Sequence, residues 1–122
     1  MTADIHALAG EFIAHGGADQ WEALSMVLTF DGGELDGTYG FAYGADGSIT
    51  ATSARPSRVG PLAVRVAESA TGDPVLPVSM LVQVERSSGR CRVVVEPTDT
   101  SRWQVTPQNL AAIRQELRPT FG

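Results

Sequence analysis

Lysine is absent from this chain, and residues 1–54 contain no arginine either. All nine arginines lie in residues 55–122 together with six acids, whereas residues 1–54 hold eight acids. The two parts therefore carry formal charges of −8 and +3, which add to the net charge of −5. Nucleic acids and anionic membranes are bound by clustered cations, so we expect neither as a partner. The asymmetry favours electrostatic recognition of a basic partner.

Cysteine is almost as scarce, because Cys91 is the single one. It can form no internal disulfide, which favours a cytoplasmic location. The first residues lack the basic region of a secretory signal, and no apolar run approaches the roughly 20 residues of a membrane-spanning helix. A length of 122 residues and a hydrophobic fraction of 43% predict one folded domain over residues 1–122.

The first half of the chain shows a helical period and then a strand period. An apolar stripe of helical spacing, capped by Thr2 and ended by Gly16-Gly17, consists of Ile5, Leu8, Ala9, Phe12 and Ile13. From Trp21 the period changes to two, and one strand face carries Leu24, Met26, Leu28 and Phe30. The stretch DGGELDG predicts a turn before a second, aromatic strand with Tyr39, Phe41 and Tyr43.

The second half is less regular. Asp46-Gly47 predicts a hairpin turn into a short third strand over Ser48–Thr52. Residues 61–70 fit either a helix starting at Pro61 or an alternating strand, and we favour the helix. A hairpin of two further strands follows, with a turn at residues 87–89. Thr106-Pro107 predicts the start of a final helix that buries Leu110, Ile113 and Leu117.

These elements predict an α+β domain. We expect an antiparallel sheet of about five strands with N-terminal and C-terminal helices and a third helix in the middle. Because the strands are joined by hairpins, we also expect the helices to cover one face of the sheet.

Residues with catalytic or metal-binding potential are few and scattered. His6 and His15 have no metal-ligand spacing, and Cys91 alternates with valines as a core residue would. Glu34 and Asp36 could act as an acid–base pair or bind Ca²⁺ weakly, but two acids in a polar turn are more often simply solvated. We therefore expect no enzyme activity, no catalytic residue, no metal and no cofactor.

The C-terminal block EPTDTSRWQVTPQNLAAIRQELRP resembles small bacterial immunity proteins of polymorphic toxin systems, and specifically the YezG-like immunity group. The resemblance extends to an N-terminal helix, a Trp that opens the first strand (Trp21) and an aromatic second strand. It implies a protein that binds and neutralises a cognate protein toxin domain, such as a nuclease, inside the producing cell. Nucleases hold phosphates in basic clefts, so the acidic first half agrees with this reading independently.

The candidate partner-binding residues are the acids and tyrosines of the first three strands and their loops: Glu22, Asp31, Glu34, Asp36, Asp46, Tyr39 and Tyr43. If these strands form consecutive hairpins, Asp31, Glu34 and Asp36 share one end of the sheet, and Asp46 lies at the other end with Glu22. Alternative readings are an acidic secretion-chaperone-like binding module or a small enzyme with an unmarked site. The chain would be a monomer or a homodimer.

Overall fold

The computed structural model describes residues 2–15, 21–72 and 76–120, and within them the α+β prediction is confirmed. The elements in chain order are α1 (Thr2–His15), β1 (Ala23–Asp31), β2 (Glu34–Tyr43), β3 (Ile49–Thr52), α2 (Pro56–Thr71), β4 (Ser79–Glu85), β5 (Cys91–Glu96) and α3 (Leu110–Glu116). The predicted Gly16-Gly17 helix end and the side chains of Thr2, Ile13 and His15 lie outside the described residues. No helix in the described ranges is both long and apolar enough to cross a membrane.

The five strands form one antiparallel sheet in the order β3-β2-β1-β4-β5. Tight turns join the consecutive pairs, and each has a glycine where the backbone needs a positive φ, such as Gly33 (82°) and Gly47 (88°). Helix α2 forms a long crossover, because it carries the chain from edge strand β3 to β4 on the far side of β1. The sheet therefore has two edges, β3 and β5.

One face of the sheet packs against α1 and α2. The alternating β1 residues Leu24, Met26 and Leu28 are fully buried there with Leu8 and Phe12 of α1. Burying one such side chain contributes roughly 1.5–3 kcal/mol, so this layer is the main hydrophobic core. The described side chains of the predicted α1 stripe and the predicted inner face of β1 both point into it.

The second face is covered as well, which corrects the expectation of a one-sided sheet. Val27, Phe41 and Leu81 from the sheet form a second buried cluster with Trp103, Ile113 and other residues of the C-terminal segment. The sheet is thus a middle layer between α1 and α2 on one side and residues 97–120 on the other. Strand β1 is buried on both faces because it lies at the centre of this arrangement.

Helix α2 begins five residues before the predicted start. Pro56 occupies the first turn, where its missing N–H costs nothing, and Pro61 lies inside the helix. The buried stripe already includes Val59, which is four residues before buried Ala63. The helical period therefore extends through Pro61, and the choice of Pro61 as the first helical residue was wrong.

Helix α3 begins at Leu110, so the predicted start at Thr106-Pro107 was wrong, because residues 106–109 form a turn instead. The Thr106 N–H donates to Asn109 Oδ1 (2.7 Å), and the Asn109 N–H donates to Thr106 Oγ1 (3.2 Å). Ile113 and Leu117 are buried as predicted, but Leu110 is 41% exposed. Its place on the buried face was wrong, because Leu110 is the first residue of the helix and the buried residue within the helix is Ile113, one turn later.

Candidate functional site

The β1–β2 hairpin ends in three exposed acids, which we call the acidic hairpin: Asp31, Glu34 and Asp36. Asp31 and Glu34 are directly opposite each other in the register. Next to them the register of the two strands shifts by one residue. Phe30 pairs with Leu35, but Thr29 pairs with Gly37. Asp36 is therefore the extra residue of a β-bulge. The DGGELDG stretch is therefore not one loop, because only Gly32-Gly33 turns and both β2 acids lie in the strand.

The acidic hairpin differs from other acids of the described residues, several of which pair with arginines. Elsewhere, arginines pair with acids at Arg58–Glu11 (3.0 Å), Arg65–Asp4 (3.4 Å), Arg90–Glu85 (3.0 Å) and Arg102–Glu96 (3.1 Å). Within residues 2–15, 21–72 and 76–120, none of the three hairpin acids has an ion pair. Like charges directly opposite on a sheet are destabilising, so the fold retains this charge at some cost.

An apolar groove of about 530 Å³ adjoins the acidic hairpin. Its floor and walls come from the start of β2 and the first turns of α2: Gly33, Glu34, Leu35, Pro56, Ser57, Gly60, Pro61 and Val64. A Cβ added at Gly60 would lie 3.9 Å from the Leu35 Cβ, so the helix runs close to the strand here. Glu34 belongs to both features and places a carboxylate at the border of an apolar depression large enough for one or two side chains.

The other two candidate acids lie at the opposite end of the sheet, as consecutive hairpins require. The Glu22 N–H donates to the Tyr43 carbonyl (2.7 Å), and Asp46 lies in the β2–β3 turn. The Asp46 carboxylate accepts a hydrogen bond from the Ser48 N–H (3.0 Å), and hydrogen bonding to Ser48 lowers the pKa of Asp46. Asp46 thus has a local role in its turn and is separate from the acidic hairpin.

Tyr39 and Tyr43 do not belong to an exposed surface, which corrects their place among the partner-binding candidates. Tyr43 is 2% exposed, its hydroxyl donates to the Arg114 carbonyl (2.6 Å), and Arg118 lies 5.0 Å from its ring centre. The half-buried Tyr39 donates to the Trp103 carbonyl (2.7 Å). Both hydroxyls therefore fasten the C-terminal segment to the sheet.

A buried polar cluster completes this attachment. The Ser25 hydroxyl and the Gln83 amide (3.1 Å) both donate to the Leu117 carbonyl, and the amide also donates to the Ser25 hydroxyl (3.3 Å). Both side chains are nearly fully buried. The sequence analysis missed this cluster, although a lone glutamine within the apolar run MLVQV was a signal for it.

Replacing Tyr43 by phenylalanine is expected to lower the free energy of unfolding by about 1–2 kcal/mol, because the Arg114 carbonyl loses its donor. Burial raises the pKa of Tyr43 from 10.0 to about 12. Above pH 10 the unfolded chain therefore releases a proton that the folded protein keeps, and stability falls as the pH rises from 10 to about 12. Denaturant unfolding at pH 8, 10 and 11.5 should show this loss in the wild type and a smaller loss in Tyr43→Phe. Equal losses in both proteins would contradict the assignment.

Other reactive groups in the described residues offer no catalytic arrangement. Cys91 is half-buried and burial raises the pKa of its thiol, which disfavours the reactive thiolate. His6 is exposed on α1. The described part of the chain contains no group of three or more His, Cys, Asp or Glu side chains arranged to hold a metal ion.

Comparisons with protein-family models, with curated proteins and with solved structures found no match. The acidic hairpin and its groove must therefore be interpreted from their own geometry and charge.

Proposed function

We propose that this protein is an immunity protein that binds a basic cognate toxin domain through the acidic hairpin and the adjoining groove. The observation that carries the proposal is the grouping of Asp31, Glu34 and Asp36, all exposed and without an ion pair in the described residues, beside an apolar depression. Such a toxin would act inside the producing cell, so the immunity protein would act there too.

The two features would contribute differently to binding. Stable interfaces combine an apolar centre, where buried anchors supply most of the free energy, with a charged rim that fixes orientation and speeds association. The groove would accept an apolar anchor of the toxin, and the acidic hairpin would face the basic cleft that holds the toxin's substrate. Occupation of that cleft would block phosphate binding without any chemistry by the inhibitor.

The proposal predicts that a neighbouring gene encodes the toxin, and the test uses the product of that gene and two matched double variants. Glu34→Gln/Asp36→Asn neutralises two acids of the hairpin, and Glu68→Gln/Glu116→Gln neutralises two exposed acids on α2 and α3. Rim charges contribute about 0.5–1 kcal/mol each, so we expect the hairpin variant to bind roughly 5- to 30-fold more weakly, with the difference shrinking at high salt. The helix variant should bind like the wild type. Binding is measured by calorimetry at 50 and 500 mM salt.

Measuring the free energy of unfolding of the hairpin variant distinguishes a role of these acids in binding from a role in stability. Neutralising Glu34 removes the repulsion with Asp31 across the hairpin and should raise the free energy of unfolding by roughly 0.2–1 kcal/mol. A hairpin variant that is as stable as the wild type or more so, yet binds and protects less well, supports the proposal. Unchanged binding and protection in that variant would reject the acidic hairpin as the interface.

A further inference from the structure

Strand β5 is an edge strand with one row of backbone groups turned away from the sheet. Its neighbour β4 bonds through alternate residues, because the Glu85 N–H donates to the Arg90 carbonyl on one side and the Arg86 N–H donates to the Glu22 carbonyl on the other. In this alternation Arg92, Val94 and Glu96 bond to β4. The N–H and C=O groups of Cys91, Val93 and Val95 therefore face outward.

In the described residues no backbone hydrogen bond covers this row. The strand is also apolar at its centre, with three consecutive half-buried valines, Val93, Val94 and Val95. Such an edge is a template for another strand, and proteins that avoid pairing usually shorten or charge it. The opposite edge, β3, has only four residues. The edge of β5 is the longer of the two.

The side chains of β5 are self-complementary in the antiparallel direction. If a second copy pairs about a two-fold axis through Val94, each Arg92 lies opposite Glu96 of the other copy. Val93 then lies opposite Val95, and both of these residues have outward-facing backbone groups. This register therefore pairs the outward N–H and C=O groups of the two copies and also places opposite charges next to each other. Shifting one strand by a single residue relative to the other would place the outward row opposite inward-bonded groups. Moving the axis to Val93 or Val95 would keep the backbone hydrogen bonds but would no longer place Arg92 opposite Glu96.

The Glu96 side chain is 13% exposed and already has partners within its own copy. It accepts hydrogen bonds from Arg102 (3.1 Å) and from the N–H groups of Thr98 (3.3 Å) and Asp99 (3.1 Å). These bonds lower the pKa of Glu96, so the group stays ionised. An ionised carboxylate offers about four acceptor positions, so one remains for an arginine of the second copy. That arginine, Arg92, already donates to the Thr120 carbonyl of its own copy (3.2 Å), and a guanidinium carries five N–H donors in all.

We propose that two copies of this chain pair through the outer edge of β5, antiparallel and about a two-fold axis at Val94, to form one continuous sheet. The edge lies at the opposite side of the sheet from β3, and both acidic hairpins stay accessible at the strand ends. The dimer would thus present two docking sites that point in opposite directions. The pairing does not depend on the proposed function.

Sedimentation of the isolated protein between 1 and 500 μM tests the pairing. We expect a reversible dimer with a dissociation constant in the micromolar range. Arg92→Glu places like charges opposite Glu96 at both symmetric positions and should weaken the dimer roughly 10- to 100-fold. Arg55→Glu makes the same charge change at an exposed position before α2 and should leave the dimer unchanged.

A second pair of variants tests the backbone contact. Val93→Pro removes an outward N–H and should yield a monomer, whereas Val93→Ala loses similar side-chain packing but keeps the N–H and should still dimerise. Circular dichroism checks that each variant is folded. A wild type that stays monomeric at 500 μM, or a folded Val93→Pro that dimerises like Val93→Ala, would overturn the proposal.

Discussion

Gly40→Ala is expected to destabilise the protein by about 3 kcal/mol or more, although it adds a single methyl group. A Cβ at this position would overlap the Ser25 carbonyl oxygen and lie 2.9 Å from the Met26 Cα. Both are backbone atoms of β1, the central strand, so the contact can be relieved only by separating β1 from β2. We therefore expect a lower denaturant midpoint or, at 37 °C, a largely unfolded protein.

Gly10→Ala is the matched control for this substitution. Gly10 lies in α1 and a Cβ there meets no atom within 4 Å. Alanine is about 1 kcal/mol more favourable than glycine inside a helix, so this variant should be more stable than the wild type by up to that amount. Urea denaturation of the two variants side by side should show opposite signs. A Gly40→Ala protein as stable as the wild type would mean that the strands are not as close as the structure places them.

Trp103→Ala is expected to cost about 3–5 kcal/mol, the usual cost of removing a buried indole. Trp103 is 7% exposed and anchors the C-terminal segment on the second face, and the Arg102 guanidinium lies 4.7 Å from its ring centre. Without this anchor the aromatic face of β2 would be less well covered. Limited proteolysis should then cut residues 97–120 before it cuts the sheet.

Leu110→Ala is the control for the loss of a large apolar side chain in the same segment. Leu110 is 41% exposed, and truncating an exposed side chain usually changes stability by no more than about 0.5 kcal/mol. Thermal unfolding and a proteolysis time course should therefore resemble those of the wild type. Equal sensitivity of the two variants would contradict the attachment through Trp103.

The strands and the positions of the acids could be predicted from the local pattern of apolar, polar and glycine residues. Alternation in β1 and the glycines of its turn predict a hairpin, and the hairpin places Asp31 and Glu34 at one end of the sheet. The groove could not be predicted from the sequence, because it depends on the distance between α2 and β2. No spacing of residues along the chain specifies that distance. The start of α2 was missed because the proline signal at Pro61 outweighed the single earlier stripe residue, Val59.

The cover on the second face was the hardest feature to predict. Tyr39, Phe41 and Tyr43 show an aromatic face, but alternation alone does not tell whether such a face meets a helix of the same chain or a partner. The covering residues Trp103, Ile113 and Leu117 are separated by polar stretches and make no continuous stripe. Their attachment relies on hydrogen bonds to carbonyl groups of the main chain, which leave no mark in the sequence of the acceptor.

The order of elements along the chain also bears on how the protein is made. Residues 103–117 follow all five strands, so the ribosome completes the sheet before it delivers the segment that covers the second face. During that interval the tyrosine hydroxyls of β2 and the Gln83 amide are solvated by water, and the aromatic face is open to other nascent chains. Slow translation between β2 and residue 103 would lengthen this exposure and favour aggregation, whereas pauses before β2 would leave this aspect of folding unaffected.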